Sequence, residues 1–285
     1  MQIELLETFL DLAQTRSFNR TAERLGLTQS TVSSRVAALE VALGSKLFNR
    51  SRAGTELTSE GVKFEPHARS LLHEWNEASR RLKSLANGSQ TVKMGIQNDL
   101  AGQQIGEWVA GFRRALPDMS FYIEPDYSAQ MCADLLTGTH DFAVMFTAKP
   151  HPDIHFTSVG DVGYKMVSSY TNLAADLVRD NYVFAHFSPA FEQMHRQIFP
   201  HLSQAPLSVG QSATVSSLLR AMGGAGYVLE RTAKNMIETG HFLAVDDAPL
   251  LRQPVYAATH LRHRISPMHR HLLRVVQRHL GERSG

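Results

Sequence analysis

Gln29, Ser30, Thr31, Ser33 and Ser34 put five polar side chains into six consecutive positions. Seven lysines and arginines surround them: Arg16, Arg20, Arg24, Arg35, Lys46, Arg50 and Arg52. Only two carboxylates, Glu23 and Glu40, lie in that stretch, whereas beyond residue 87 the two signs balance at seventeen each. Cations at such density suit a phosphate backbone, and small donors and acceptors suit base edges. The chemistry to expect is recognition of duplex DNA.

Those side chains need a helix that is bulky behind and slim in front. Val32, Val36, Leu39 and Leu43 recur at helical spacing and make one apolar face. Ser30, Ser34 and Ala37 lie opposite, with Ser33 on the flank. Gly26 can take the left-handed conformation that ends a preceding helix, and Thr28 supplies a capping hydroxyl for the next. The pattern predicts a helix-turn-helix whose second helix enters a major groove. A first helix over residues 4–15, with Leu6, Phe9, Leu10 and Ala13 on one side, packs behind it. Arg50-Ser51-Arg52-Ala53-Gly54 is a basic turn between two extended pieces, a wing whose arginines reach phosphates or a minor groove. An ordinary two-helix corner with a solvated basic loop would show the same apolar spacing; the concentration of charge favours DNA.

The chain has 285 residues, 43% of them apolar, enough for two or three domains with real cores. No signal peptide or membrane span is legible, which points to the cytoplasm. Cys132 is the single cysteine. It excludes an internal disulfide, a cysteine-based zinc cluster and a two-cysteine redox switch. Gly223-Gly224-Ala225-Gly226 precedes a strand and lacks the spacing of a dinucleotide loop. His260, His263, His269 and His271 look like surface histidines near an amphipathic helix, so no metal is expected. No catalytic motif stands out, and no cofactor is implied.

Thr58 caps a further helix. Its apolar residues Ala68, Leu71, Trp75, Ala78, Leu82 and Leu85 step by 3-4-3-4-3, a heptad seam that pairs with a second copy of itself. Pro66 predicts a kink or a late start. Asn87-Gly88-Ser89 ends the helix as a hinge.

From residue 91 short apolar strands alternate with helices. Strands are expected at 91–96, 120–124, 142–146, 182–187, 206–209, 226–229 and 254–259. Helices are expected at 106–116, 129–137, 189–199, 215–222, 231–239 and 268–280. The alternation predicts an α/β clamshell of two parallel, doubly wound sheets, crossed by the chain near 161–164 and 250–254. Ligands in such folds bind beyond the carboxyl ends of the strands, where helix N-termini present free N–H groups. Here these positions are Gln97, Asn98 and Asp99, then Tyr127 and Ser128, Phe146 and Thr147, and Gln211, Ser212 and Thr214. Ser128, Ser212 and Thr214 serve equally well as helix caps. Asp99 argues against a strongly anionic ligand, and Tyr127 and Phe146 would make the pocket partly aromatic. A rival reading makes the clamshell a solute-binding protein or an enzyme; it leaves the basic cluster unexplained. A third keeps DNA binding and gives the second half an assembly role without an inducer.

The run AERLGLTQSTVSSRVAALEVALGSKLFNRSRAGTELTSEG strongly resembles the DNA-binding domain of LysR-type transcriptional regulators. The match includes Gln29-Ser30, Leu39-Glu40, Leu43-Gly44, Leu47-Phe48 and Leu57-Thr58-xx-Gly61. Weaker signatures at Leu135-Leu136 to Val144 and at Gly224 to Leu229 extend it over the remaining chain. Within the family, Leu27-Thr28-Gln29-Ser30-xx-Ser33 and Pro66…Trp75 resemble the flagellar regulator dependent on the nucleoid protein H-NS. The resemblance implies a winged helix-turn-helix (1–58), a linker and dimerisation helix (59–88) and an effector-binding domain similar to periplasmic solute-binding proteins (89–285). Its lobe I would take 91–162 and 253–285, and lobe II 163–252. Implied partners are double-stranded DNA, further copies of the chain up to a tetramer, a small-molecule inducer and RNA polymerase. In that setting Gln29, Ser30, Thr31, Ser33 and Ser34 face bases, and Arg35, Arg50 and Arg52 hold phosphates or the minor groove. Two departures bear on this. Arg35 follows Ser33-Ser34, one position later than is usual, which turns it about 100° around the helix. Glu230-Arg231 stands where the family commonly has a proline.

Overall fold

Leu6, Phe9 and Leu12 of α1 (Ile3–Thr15), Ala22 of α2 (Phe18–Leu25) and Val32, Val36 and Leu39 of α3 (Gln29–Leu43) are buried together in one core. This computed structural model describes residues 2–51, 54–87 and 90–281. β1 (Phe48–Ser51) and β2 (Gly54–Leu57) form an antiparallel hairpin in which Phe48 faces Leu57 and Arg50 faces Thr55. Its tip, with Arg52 and Ala53, lies outside the described residues. The Phe9 ring anchors the hairpin, 5.3 Å from Phe48 and 5.2 Å from Phe64.

α4 (Ser59–Asn87) follows at once. Thr58 ties its start down: the hydroxyl donates to the Lys46 carbonyl at 2.7 Å and accepts from Gly61 N–H at 3.0 Å. The helix includes Pro66, so the late start that proline allowed is not seen. Gly61 is required by space. A Cβ there would lie 2.3 Å from the Leu47 carbonyl oxygen and 2.9 Å from Leu57 Cδ2.

The remaining chain builds β3 (Gln90–Gln97), α5 (Asn98–Ala115), β4 (Met119–Asp126), α6 (Ser128–Leu136) and β5 (Phe142–Met145). The long β6 (Ile154–Ser168) leads to β7 (Tyr182–Ala185), α7 (Pro189–Ile198), β8 (Leu207–Val209), α8 (Ser212–Met222), β9 (Ala225–Leu229) and α9 (Glu230–Glu238). β10 (Leu243–Ala244), β11 (Leu251–His260) and α10 (Pro267–Gly281) complete it. α5 starts eight residues before the expected position. Leu100, Gln104, Trp108 and Phe112 are all buried at four-residue spacing, a stripe that Gly102 and Gly106 obscure in the sequence.

The expectation of two separate parallel sheets needs correction. Among the described residues there is one nine-stranded sheet, ordered β4-β3-β5-β11-β6-β9-β7-β8 with β10 on β6. β3 and β5 are parallel in one half, and β7 is parallel to both β8 and β9 in the other. β6 and β11 join the halves as an antiparallel ladder from Ile154–His260 to Tyr164–Leu251. The two segments expected as crossings are thus paired strands, Asp161 facing Pro254. Gly160 and Gly163 break the apolar alternation that would have marked β6 as a strand, and Pro254 precedes a bulge at Val255/Tyr256.

His195 lies at the centre of an aromatic cluster with Phe184, Phe191, Phe199 and Tyr227, and its Nε2 is 2.7 Å from Tyr182 Oη. Burial, reinforced by Arg196 and His201, lowers its pKa to about 4. The unfolded chain takes up this proton near pH 6.5 and the folded chain does not, so folding loses free energy as pH falls from 6.5 towards 4. Urea titrations at pH 7 and pH 5 should show a stability drop about 2 kcal/mol smaller in His195→Phe than in the parent protein. An equal drop would remove His195 as the cause. Gly61→Ala should cost the N-terminal unit about 1–3 kcal/mol in the same assay.

Candidate nucleic-acid interface and effector cleft

The turn between α2 and α3 is made by two local devices. Gly26 ends α2 at φ 65°, with Leu27 N–H on the Ala22 carbonyl at 2.8 Å. Thr28 Oγ1 then accepts from Thr31 N–H at 3.2 Å and lies 2.8 Å from Thr31 Oγ1. The Thr31 hydroxyl is therefore turned to the cap, and Thr31 is half-buried. Gln29, Ser30 and Ser34 are exposed, with Ala37 beside them. Behind them Val32, Val36 and Leu39 are buried, whereas Leu43 is 39% exposed. Glu40, one turn earlier, is buried instead.

Glu40 is 8% exposed. Its Oε1 accepts from Leu47 N–H at 2.9 Å and Phe48 N–H at 3.3 Å, and its Oε2 from Lys46 Nζ at 2.6 Å. Burial pushes this carboxyl up, but the bonds from Lys46, Leu47 and Phe48 outweigh it and hold the pKa below the ordinary carboxylate value. The carboxylate locks the start of β1 onto the last turn of the recognition helix. Sequence spacing gave no sign of this beyond the Leu39-Glu40 pair itself.

Arg50 reaches from β1 to the recognition helix. Its guanidinium lies 4.0 Å from the centroid of the Phe18 ring, and Nη2 donates to Ser33 Oγ at 3.1 Å. Arg35 points the other way, its Nη1 donating to Thr8 Oγ1 at 3.3 Å. The structure thus brings Gln29, Ser30, Ser33, Ser34 and Arg50 to one face and places Arg35 on the α1 side. Arg24 is paired with Asp11 and Lys46 with Glu40. Along α4, Leu71 (46%), Trp75 (55%) and Leu82 (69%) stay exposed. Ala68, expected in the same seam, is buried in the N-terminal core.

In the C-terminal unit, Gln97, Ser128 and Thr147 meet. Thr147 N–H donates to Ser128 Oγ, which donates to Gln97 Oε1, both at 3.1 Å. Asp99 and Ser212 meet as well. Asp99 Oδ2 accepts from Tyr164 Oη at 2.7 Å, and Oδ1 accepts from Ser212 N–H at 2.8 Å. Burial raises the Asp99 pKa, opposed by those two bonds. Asn98, Asp99 and Ser212 line a cleft of ≈470 Å³ together with Arg220, Arg231 and Asn235. The Phe146 ring belongs to the core instead, and Thr214 is exposed on the first turn of α8. Tyr127 is half exposed, and Gln211 precedes α8 without a side-chain capping bond. Spacing could not have found Tyr164, Ser188 or Gln253. Gln253 is buried, accepts from Ser188 and donates to the Phe146 carbonyl at 3.2 Å, links that span 65 and 107 residues.

A slim polar helix front with a braced arginine, joined to a two-lobed α/β domain with a cleft, defines a DNA-binding regulator with an effector-binding domain. Residues 3–62 match the bacterial regulatory helix-turn-helix protein family, lysR type, and residues 86–281 match the LysR substrate binding domain. The chain belongs to the LysR family of transcriptional regulators. It is 28% identical over 262 residues to the HTH-type transcriptional regulator HdfR of Escherichia coli O139:H28, covering 90% of this chain and 91% of that one. Its fold is similar to an H2O2-bound OxyR mutant of Corynebacterium glutamicum (TM-score 0.57, 19% identity, 99% of this chain and 93% of that one). It is also similar to Vibrio fischeri DarR in complex with DNA (TM-score 0.56, 18% identity, 97% and 98%). Among the described residues no helix is long and apolar enough to cross a membrane.

Glu40→Ala removes an acceptor from two buried N–H groups and from Lys46. It should destabilise the N-terminal unit by about 2–4 kcal/mol at pH 7. Because the folded pKa lies below the ordinary value, the difference between parent and variant should shrink as pH falls through the Glu40 folded pKa. A difference independent of pH would assign the loss to packing.

Proposed function

We propose that this regulator binds an interrupted inverted repeat as a dimer of dimers and that a small molecule in the C-terminal cleft modulates it. Gln29, Ser30, Ser33 and Ser34 meet the bases; Thr31, expected beside them, keeps its hydroxyl on the Thr28 cap. Arg50, beside that face, and Arg52 hold phosphates or the minor groove, and Arg35, expected with them, does so only from the α1 side where it bonds Thr8. The observation that carries this reading is the exposed, slim front of α3 with Arg50 held beside it on Phe18 and Ser33. Nothing bulky on that front would keep the helix out of a major groove.

Two-fold pairing is supported by Leu71, Trp75 and Leu82, an exposed apolar stripe on α4 that a single chain leaves in water. A dimer places two reading heads on related half-sites. The domain boundaries are those of the sequence reading: 1–58 reads DNA, 59–88 pairs and 89–285 senses. A ligand that prefers one arrangement of the two lobes biases the assembly on DNA, and contact with RNA polymerase turns that bias into transcription in the cytoplasm.

The direct test is selection of bound sequences from random duplex DNA at near-physiological salt. An inverted repeat is expected. Salt-sensitive binding without a motif would leave a nonspecific binder, and no binding would favour a solute-binding role. Ser33→Phe should abolish selection while leaving the fold intact by circular dichroism. Trp75→Glu should shift the particle towards the monomer mass in light scattering at micromolar protein, and an unchanged mass would remove the α4 stripe as the interface.

A further inference from the structure

Asp99 is 7% exposed, and its two carboxylate oxygens accept from two donors that come from distant parts of the chain. One is Ser212 N–H, 113 residues away. Ser212 opens α8, an eleven-residue helix whose first N–H groups have no partner within the helix and carry its positive end. Gln211 makes no side-chain cap bond there, and Ser212 Oγ is already the acceptor for Leu229 N–H at 2.9 Å. The residues around the start of α8 thus leave Ser212 N–H to an anion from elsewhere. The second donor is Tyr164 Oη on β6. Its ring is fully buried, stacked 4.3 Å from Phe187 and edge-on to Phe191 at 5.1 Å, so the phenol is fixed in direction.

Two oriented donors converging on one buried anion make a site for a carboxylate-sized group. α5 begins where β3 ends, in one half of the sheet; α8 follows β8, in the other; β6 is shared. The carboxylate therefore binds across the cleft as a ligand would, with a covalent tether in place of a binding equilibrium.

We propose that Asp99 is a built-in anionic ligand of the cleft and thereby sets its specificity: it occupies the position that a free carboxylate, phosphate or sulfate would take, and makes the protein unresponsive to such anions. This rests on reading the cleft as the effector site. A diffusible anion competes poorly because the tethered carboxylate has an effective concentration far above any solute level, and no association entropy is lost when it binds. Arg220 and Arg231 stay along the remaining cleft, with Arg220 Nη2 on Asn235 Oδ1 at 3.0 Å, but the donor pair is filled.

The test is chemical rescue in the full-length protein. Formate and acetate are titrated against chloride at constant ionic strength into the parent protein, Asp99→Ala and Asp99→Asn, with the thermal midpoint as readout. The parent should respond to formate no more than to chloride. Asp99→Ala should melt about 5–10 °C lower and regain at least half of that with formate, with half-saturation on the order of 10 mM. Asp99→Asn, whose amide fills the space and keeps an acceptor, should lose less and gain nothing from formate. If Asp99→Ala folds only with formate present, that dependence is the rescue. A formate response of equal size in parent and Asp99→Ala, or in Asp99→Asn and Asp99→Ala, would overturn the proposal, as would a folded Asp99→Ala indifferent to both anions. Operator affinity of Asp99→Ala with and without formate separates the two readings. Rescue of melting without any change on DNA keeps the tethered ligand and removes the cleft from regulation.

Discussion

The C-terminal domain depends on one ladder. The chain passes between its two halves on β6 and again on β11, and these passages hydrogen-bond to each other along their length. Backbone groups at the waist of a clamshell would otherwise be orphaned, at a cost that a buried amide cannot meet. Pairing them satisfies the waist and leaves one continuous sheet. It also fixes where the cleft can be: α5, α8 and α9 begin near this waist, and their first residues line the space beside it. Tyr164 sits on the ladder itself, facing Leu251, and donates to Asp99 from there.

The N-terminal unit solves a different problem. A reading helix must keep its front bare, so all of its support comes from behind and from its ends. Val32, Val36 and Leu39 supply the back, Thr28 and Gly44 the ends. Glu40 and Arg50 then join the hairpin to the helix from opposite directions. Glu40 does so through a buried carboxylate that takes backbone N–H groups, and Arg50 through a cation on an aromatic face with a bond to Ser33. Helix and β1 are thereby tied to each other at two points.

Three sets of polar side chains in the C-terminal domain are similarly committed. Gln97, Ser128 and Thr147 form one chain, Ser188 and Gln253 another, and Asp99 with Ser212 and Tyr164 a third. Each buried group needs a partner once water is removed, and here the partners are mostly other elements of the same domain. Cys132 is half-buried with its thiol pushed up to about 11, chiefly by burial, which suits an inert side chain.

Local chemistry made the first 60 residues legible. The 3.6-residue period of Val32, Val36 and Leu39, the cap at Thr28 and the stop at Gly26 are short-range effects that act in any surroundings, and they place the polar front without reference to distant residues. The same holds for the alternation of strands and helices after residue 90. Tertiary structure decided everything that required two remote segments to meet. β6 was hidden because glycines at 160 and 163 erase its alternation, yet its partner strand makes it a strand. Leu43 is exposed, while Glu40, one turn earlier, is buried by donors from Lys46, Leu47 and Phe48 that spacing does not reveal. Phe146 and Thr214, placed at strand and helix ends by spacing, went to the core and to the exposed surface. Asp99 found Tyr164 and Ser212 across 65 and 113 residues. Periodicity encodes which face of an element is buried; which side chain stands opposite depends on how the elements pack, and that is settled only when the chain closes on itself.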